Sequence, residues 1–197
     1  MILLAGVVEK RADDVLDALD AARAAGLVIE VCVDRHRFAH ALVRETLHGE
    51  LSSSRRARQH RKVATVLEAR HANNLDGVVT ELATHWAAAS AGGDPSRAIE
   101  LAIRAGDLAI DRGGYENAAT WYSDALELID DDATSNRTKR QTLVKLASIQ
   151  TESGSAVEGR RNALIAAQAA IRAVDPETVA AALQISARIS FAGFETA

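Results

Sequence analysis

Two stretches of this chain repeat each other at a spacing of 41 residues, and that repeat restricts the fold more than any other feature. Residues 98–130 carry Gly106, Gly113, Ala118, Tyr122 and Ala125; a shift of 41 brings these onto Ala147, Gly154, Gly159, Ala163 and Ala166. Apart from Tyr122, every one of these positions is glycine or alanine. Small side chains let two antiparallel helices approach closely, and glycine suits the turn between them. The spacing predicts helical pairs at 96–112 with 115–129 and at 136–152 with 156–173. The stretch "DPETVAAALQISARISFAGF", 175–194, reads as the first helix of a third pair. A stacked array buries the apolar face of each unit against the next. Stopping inside the third pair is therefore expected to leave an apolar face open to oligomerisation, and the expectation is that the chain is a fragment of something larger.

Composition agrees with helix packed on helix. The chain has two prolines in 197 residues, aromatics at 4%, and apolar residues, at 48%, that are mostly Ala, Leu, Val and Ile. "SAGGDPS", 90–96, breaks the helical period with Gly-Gly, Asp-Pro and a serine suited to capping. It divides the chain into 1–91 and 96–197. In the first part, "ADDVLDALDAARAA", 12–25, places Val15, Leu16, Leu19 and Ala22 at helical spacing, with acids in the first turn and Gly26 as the stop. "LVIEVCV" comes next, and the pattern predicts a hairpin: strand 27–33, turn 34–36, strand 37–39. Helices are expected from 40, with Leu42, Val43, Thr46 and Leu47 marking its inward face, over 53–71 behind the "SSS" cap at 52–54, and over 74–90. The N-terminal "MILLAGVVEKRADD" reads as a buried strand or helix piece, too short for a membrane span and without the basic region of a signal peptide. Helix, hairpin, helix is the order of a winged helix, so the expected fold is all-α with one small hairpin: a winged-helix segment, then helical pairs of the tetratricopeptide type.

The chemistry-bearing residues point away from catalysis. No phosphate-binding G-x-x-x-x-G-K-[ST] is present, no G-x-S-x-G, and the single Cys32 lies on a predicted strand with no paired base. One cysteine permits neither an internal disulfide nor zinc spacing, so no metal is expected and a reducing cytoplasm fits. Net charge is −4, with no global field for nucleic acid or anionic membrane. The charge is uneven: "RRARQHRK", 55–62, holds five cations and no acid, while "DALELIDDD", 124–132, holds five acids and no base. A winged helix would read DNA with the helix before the wing, but 12–25 carries four acids and one arginine and repels phosphate. Four of the six histidines, His36, His40, His48 and His60, fall within 36–60, the span that contains "RFAHALVRETL". His40, Arg44 and His48 are spaced to share a helix face that suits an anion better than a metal; a capping or core histidine is the plain alternative.

The ordered segments "LDAARAAGLV", "RFAHALVRETL", "LSSSRRARQHRKVATVLEA" and "ELATHWAAA" resemble the region that follows the nucleotide-binding core in STAND-class signalling ATPases. The resemblance is nearest to the large actinobacterial regulators that join an AAA-like core, a winged helix, tetratricopeptide-like repeats and often a LuxR-type DNA-binding or cyclase domain. It covers 13–90, and the repeats beyond fit the same architecture. It implies that the winged helix closes over the nucleotide and that His40 stands where that class contacts the ADP β-phosphate, an imidazole at a helix N-terminus being suited to a phosphate oxygen. Arg37 and Arg44 would assist. The chain departs from the class in lacking the P-loop, the Walker B acid and any LuxR-type helix-turn-helix, and in having Gln59 and His48 where leucine and an aromatic are common.

The expectation is therefore a non-enzymatic regulatory and interaction segment of a STAND-type, LuxR-family transcriptional regulator. By itself it would take no cofactor, and it would meet ATP or ADP only through an ATPase domain. Its partner is expected to be that domain or another protein, with no membrane and with DNA disfavoured. Two alternatives stand beside it. One is a DNA-binding regulator that uses Arg55, Arg56, Arg58, Arg61 and Lys62. The other is a free-standing scaffold that binds a peptide along its repeats, through Tyr115 or Trp121; in that stretch Trp121 and Tyr122 otherwise serve helix packing, with Gly106, Gly113 and Ala125.

Overall fold

The computed structural model describes residues 2–91, 93–130 and 137–192. They are mostly helical, with one two-stranded antiparallel hairpin. The described residues up to Val78, with those of Ala88–Gly93, form one compact unit; Val79–Ala87 and the described residues from Asp94 on form the other.

In the second unit the helices pack in chain order. These are α6 (Ser96–Asp111), α7 (Tyr115–Leu128), α8 (Arg137–Glu152), α9 (Ala156–Arg172) and α10 (Pro176–Ala192), each against the next, with α10 also meeting α8. Every glycine and alanine of the 41-residue alignment other than the two turn glycines is buried. Gly113 and Gly154 close the turns α6–α7 and α8–α9 with φ of 75° and 89°, a left-handed conformation that a Cβ makes costly. Gly106 has a different task. A Cβ there would lie 2.5 Å from the ring of Tyr122, so α6 gives up its side chain to admit the ring. In the second pair the roles reverse: Gly159 on α9 makes room for Thr151 and the Ala147 carbonyl of α8. The core is thus a run of close backbone approaches (Ala118, Ala125, Ala147, Ala163, Ala166) with Tyr122, Leu101, Leu143, Leu146 and Ile149 among its large members.

The hydrogen bonds that seal this unit are charged. The Tyr122 hydroxyl donates to Asp107 at 2.6 Å, and Lys145 reaches the same carboxylate at 2.5 and 2.7 Å, joining α6, α7 and α8. Burial first, then the Asp107 hydrogen bond, pushes the Tyr122 hydroxyl far above the usual phenol range. At the other end Arg140 of α8 is buried and donates twice to Asp175 at 2.9 and 3.2 Å. Asp175 also accepts from the Thr178 amide and hydroxyl, which caps α10. The Thr178 hydroxyl and the Arg140 guanidinium hold the Asp175 carboxyl down at about 2.

The first unit is thinner. It contains α1 (Ile2–Val8), α2 (Ala12–Ala24), β1 (Val28–Cys32), β2 (Arg35–Phe38), α3 (Ala41–Gly49) and α4 (Ser53–Arg70). Gly26, at φ 71°, ends α2 as anticipated: its amide and that of Leu27 bond back to Arg23 and Ala22. Ser52 caps α4 through the Arg55 amide. Four sequence expectations need correction. His36 is not in the turn but on β2, opposite Glu30, because the tight turn is Val33–Asp34, with Asp34 at φ 63°. Leu16, Leu42 and Leu47, expected to face a core, are exposed, and α3 buries no side chain. The helix expected over 74–90 is α5, Val79–Ala89, and starts late: the Asn74 side chain takes the Asp76 amide into a turn that competes with the helix. At the start of α6 the accepting side chain is Asp94 rather than Ser96. Its carboxylate accepts from the Ser96 amide and hydroxyl, since Pro95 leaves Ser96 inside the helix. Position 136 of the third repeat helix, positions 193 and 194 of the last one, and 131 and 132 of the acidic run lie outside the described residues.

Candidate functional site

The hairpin leads directly into the histidine-bearing helix. The Ala39 amide donates to the Leu27 carbonyl at 2.9 Å and ends the strand pairing. His40 then turns extended, at φ −133° and ψ 140°, as the N-cap of α3, and its carbonyl receives the Arg44 amide. The imidazole makes no capping bond to the first amides of α3. His40 and Arg44 are largely open to solvent, and Arg37 is exposed on β2 opposite Ile29. The three lie along one short segment. Chemically this is an exposed edge of two guanidinium groups and an imidazole beside a helix N-terminus, a setting that can receive an anion. His48, at the far end of α3, meets His60 of α4 edge-on, with ring centroids 6.4 Å apart.

The basic run on α4 is partly engaged. Arg56 donates to the His48 carbonyl and the Ser53 hydroxyl, Arg61 to the Ala89 carbonyl, and Lys62 to Glu9 at 2.6 Å. That last contact holds the Glu9 carboxyl below its ordinary value. Arg55 and Arg58 are exposed. An open hollow of about 300 Å³ lies between Ser54, Ala57, Arg58, Arg61 and Ala89. The run is thus a stripe in which three of five cations already hold the fold together, which reduces what it can offer to phosphates.

In the second unit the residues singled out from the sequence separate by role. Gly106, Gly113, Tyr122 and Ala125 are packing and turn residues. Tyr115 opens α7 and is largely exposed. Trp121 is half-buried and forms one wall of an open groove of about 270 Å³. The floor is Ala83, Thr84 and Ala87 of α5 and Ala102 of α6, all small. Asp124, Glu127 and Leu128 of α7 complete it. Burial first, then the adjacent Glu127 carboxylate, raises the Asp124 carboxyl above its ordinary value. Sequence reasoning saw Asp124 and Glu127 only as part of an acidic run; the signal for their local role is the spacing Trp121, Asp124, Leu128, which puts an indole and a carboxylate on one helix face.

Among the described residues no group of three or more His, Cys, Asp or Glu could hold a metal ion, and no helix is long and apolar enough to cross a membrane. Comparison of the chain with protein-family models, with curated proteins and with solved structures finds no match.

Proposed function

We propose that this chain is a non-catalytic regulatory and protein-interaction segment of a STAND-type ATP-dependent transcriptional regulator. In this reading the first unit is a winged-helix segment that couples the nucleotide state of an ATPase domain to the second unit, a solenoid of tetratricopeptide-like pairs that senses a protein or effector. One observation carries it. The β2–α3 segment combines a helix N-terminus without a side-chain cap, His40 at that cap position, Arg37 and Arg44 beside it, and a helix that buries none of its own side chains. In this reading Leu42, 72% exposed, and Leu47 rest on the ATPase domain, and the polar end of the segment suits the β-phosphate of ADP. Imidazole and guanidinium groups would hold the phosphate there; bond-breaking chemistry would belong to the ATPase domain.

The test is the DNA on both sides of the reading frame. A P-loop ATPase core encoded immediately upstream supports the reading, and His40→Ala in the joined protein should then weaken retention of ADP. Flanking DNA with neither such a core nor further repeats or a helix-turn-helix overturns it.

A second reading, a helical-repeat scaffold that binds a protein partner, is favoured by the Trp121 groove, which needs no nucleotide to act. The DNA-binding reading loses ground to the engagement of Arg56, Arg61 and Lys62 within the fold.

A further inference from the structure

The groove on α7 has a chemistry of its own. Its floor is lined by small residues, Ala83, Thr84, Ala87 and Ala102, so the backbones of α5 and α6 border an open slot. Trp121 forms an aromatic wall. Asp124 and Glu127 stand three residues apart on α7, and no salt bridge or hydrogen bond to either carboxylate is found among the described residues. Like charges at this spacing on a helix repel. Partial desolvation of Asp124 adds to that cost, since it raises the carboxyl above its usual range before Glu127 raises it further. Elsewhere in the same unit the carboxylates that matter to the fold, Asp107 and Asp175, each have a cation within 3 Å. The pair in the groove has no such cation among the described residues, and it lies beside the indole ring that best attracts a cation to its face.

We propose that this groove receives a basic side chain, arginine or lysine, from an extended peptide segment of a partner protein. The aliphatic stem would lie over Ala83, Ala87 and Ala102, the charged head against the face of Trp121, and Asp124 and Glu127 would neutralise it. A neutral or acidic peptide would gain only the apolar floor and would leave the two carboxylates opposed. The inference rests on reading the repeats as an interaction module and names the class of partner that module takes.

Fluorescence polarisation of a fluorescein-labelled arginine–glycine octapeptide against the whole chain tests it, beside the same peptide with citrulline in place of arginine. The arginine peptide should bind and weaken as salt is raised; the citrulline peptide should not bind. Asp124→Asn with Glu127→Gln should weaken binding about tenfold, and Trp121→Ala by a similar factor. The carboxamide pair removes a repulsion and should fold at least as well as the parent, so it decides the matter even if Trp121→Ala fails to fold. A remote pair, Asp13→Asn with Asp17→Asn on α2, should leave affinity within about twofold. Equal loss in the remote pair would assign the binding to net charge and overturn the proposal, as would no binding of the arginine peptide at low salt. Binding of the citrulline peptide that is lost in Trp121→Ala would overturn the basic partner while leaving the repeats as an interaction module.

Discussion

The two units of this chain use apolar residues in opposite ways. From α6 to α10 the buried positions are mostly alanine and glycine, with Leu101, Tyr122, Leu143, Leu146, Ile149 and Ile185 enclosed among them, while Val157, Ile171 and Leu183 stay exposed on the outer faces. In the first unit the large apolar residues are plentiful and half in water: Leu16, Leu27, Ile29, Val31, Val33, Phe38, Leu42 and Leu47 are all exposed, and up to residue 50 only Val7 and Val15 are buried among the described hydrophobics. Buried area, not hydrophobic content, sets stability. The repeats therefore hold most of the chain's folding free energy, while the hairpin and α3 belong to the part that opens first. Close helix approach needs only small residues; a hairpin and a short helix need a second surface to cover them.

The contrast can be broken hardest in the repeats. Leu101 is 1% exposed in α6. Leu101→Ala should cost about 3 kcal/mol through lost burial and the cavity left behind. Both tryptophans of the chain, Trp86 and Trp121, lie in the second unit, so denaturant unfolding followed by tryptophan fluorescence reads that unit alone. A loss under about 1 kcal/mol would mean that the repeat core is far softer than its burial indicates.

The same single change should have opposite signs in the two units. Gly106→Ala sets a methyl 2.5 to 3.0 Å from the Tyr122 ring, and overpacking of this kind costs about 1–3 kcal/mol. Gly49→Ala, at the end of α3, meets nothing within 4 Å and removes a flexible residue from a helix, a gain of about 0.5–1 kcal/mol. Tryptophan fluorescence measures the first, and amide exchange along α3 the second. A loss at both positions would sink the claim that α3 is free of packing constraint.

Acid should loosen the repeats at a defined place. The Asp175 carboxyl is lowered in the folded chain to about 2 from an ordinary 3.8, so its contribution is complete above 3.8 and is lost as pH falls toward 2. Protonation leaves the buried Arg140 facing a neutral acid and weakens the cap of α10. Melting temperature should fall across that window in the wild type. Asp175→Asn, destabilised already at neutral pH, should show a shallower fall. Parallel curves for the two proteins would remove Asp175 from the acid response.

The repeat positions were legible in the sequence because glycine and alanine at close contacts leave a period that composition cannot hide: the helix bounds expected from the 41-residue shift agree with the observed ones within two residues wherever they are described. The hairpin was legible from its β-branched run, though its turn was placed late, since Asp34 tolerates positive φ without a glycine to announce it. What the sequence concealed was burial and partnership. Leu42, Val43, Thr46 and Leu47 together have the spacing of a core face, and only the fold reveals that the first unit leaves Leu42 and Leu47 exposed. Arg140 and Asp175 are 35 residues apart, Lys145 and Asp107 38, beyond any local pattern. The Trp121 groove was half visible, as an aromatic on a repeat helix, but part of its floor comes from α5, on the far side of the Gly-Gly break.

The smallest effect tests the first unit most sharply. Leucine to alanine in α3 repeats the chemistry of Leu101→Ala at a site that is 72% exposed. With little area buried and no cavity to leave, Leu42→Ala should change the stability of the isolated chain by less than about 0.5 kcal/mol. Amide exchange of the β1–β2 pair and α3 is the measure, because no tryptophan lies there. The value becomes informative beside a covering partner. If α3 rests on an ATPase domain, the same substitution should be nearly silent in the isolated chain and should cost about 1 kcal/mol or more in the joined protein, where the leucine is buried. Silence in both would leave the exposed face of α3 as ordinary surface and remove the physical reason for a partner at that position.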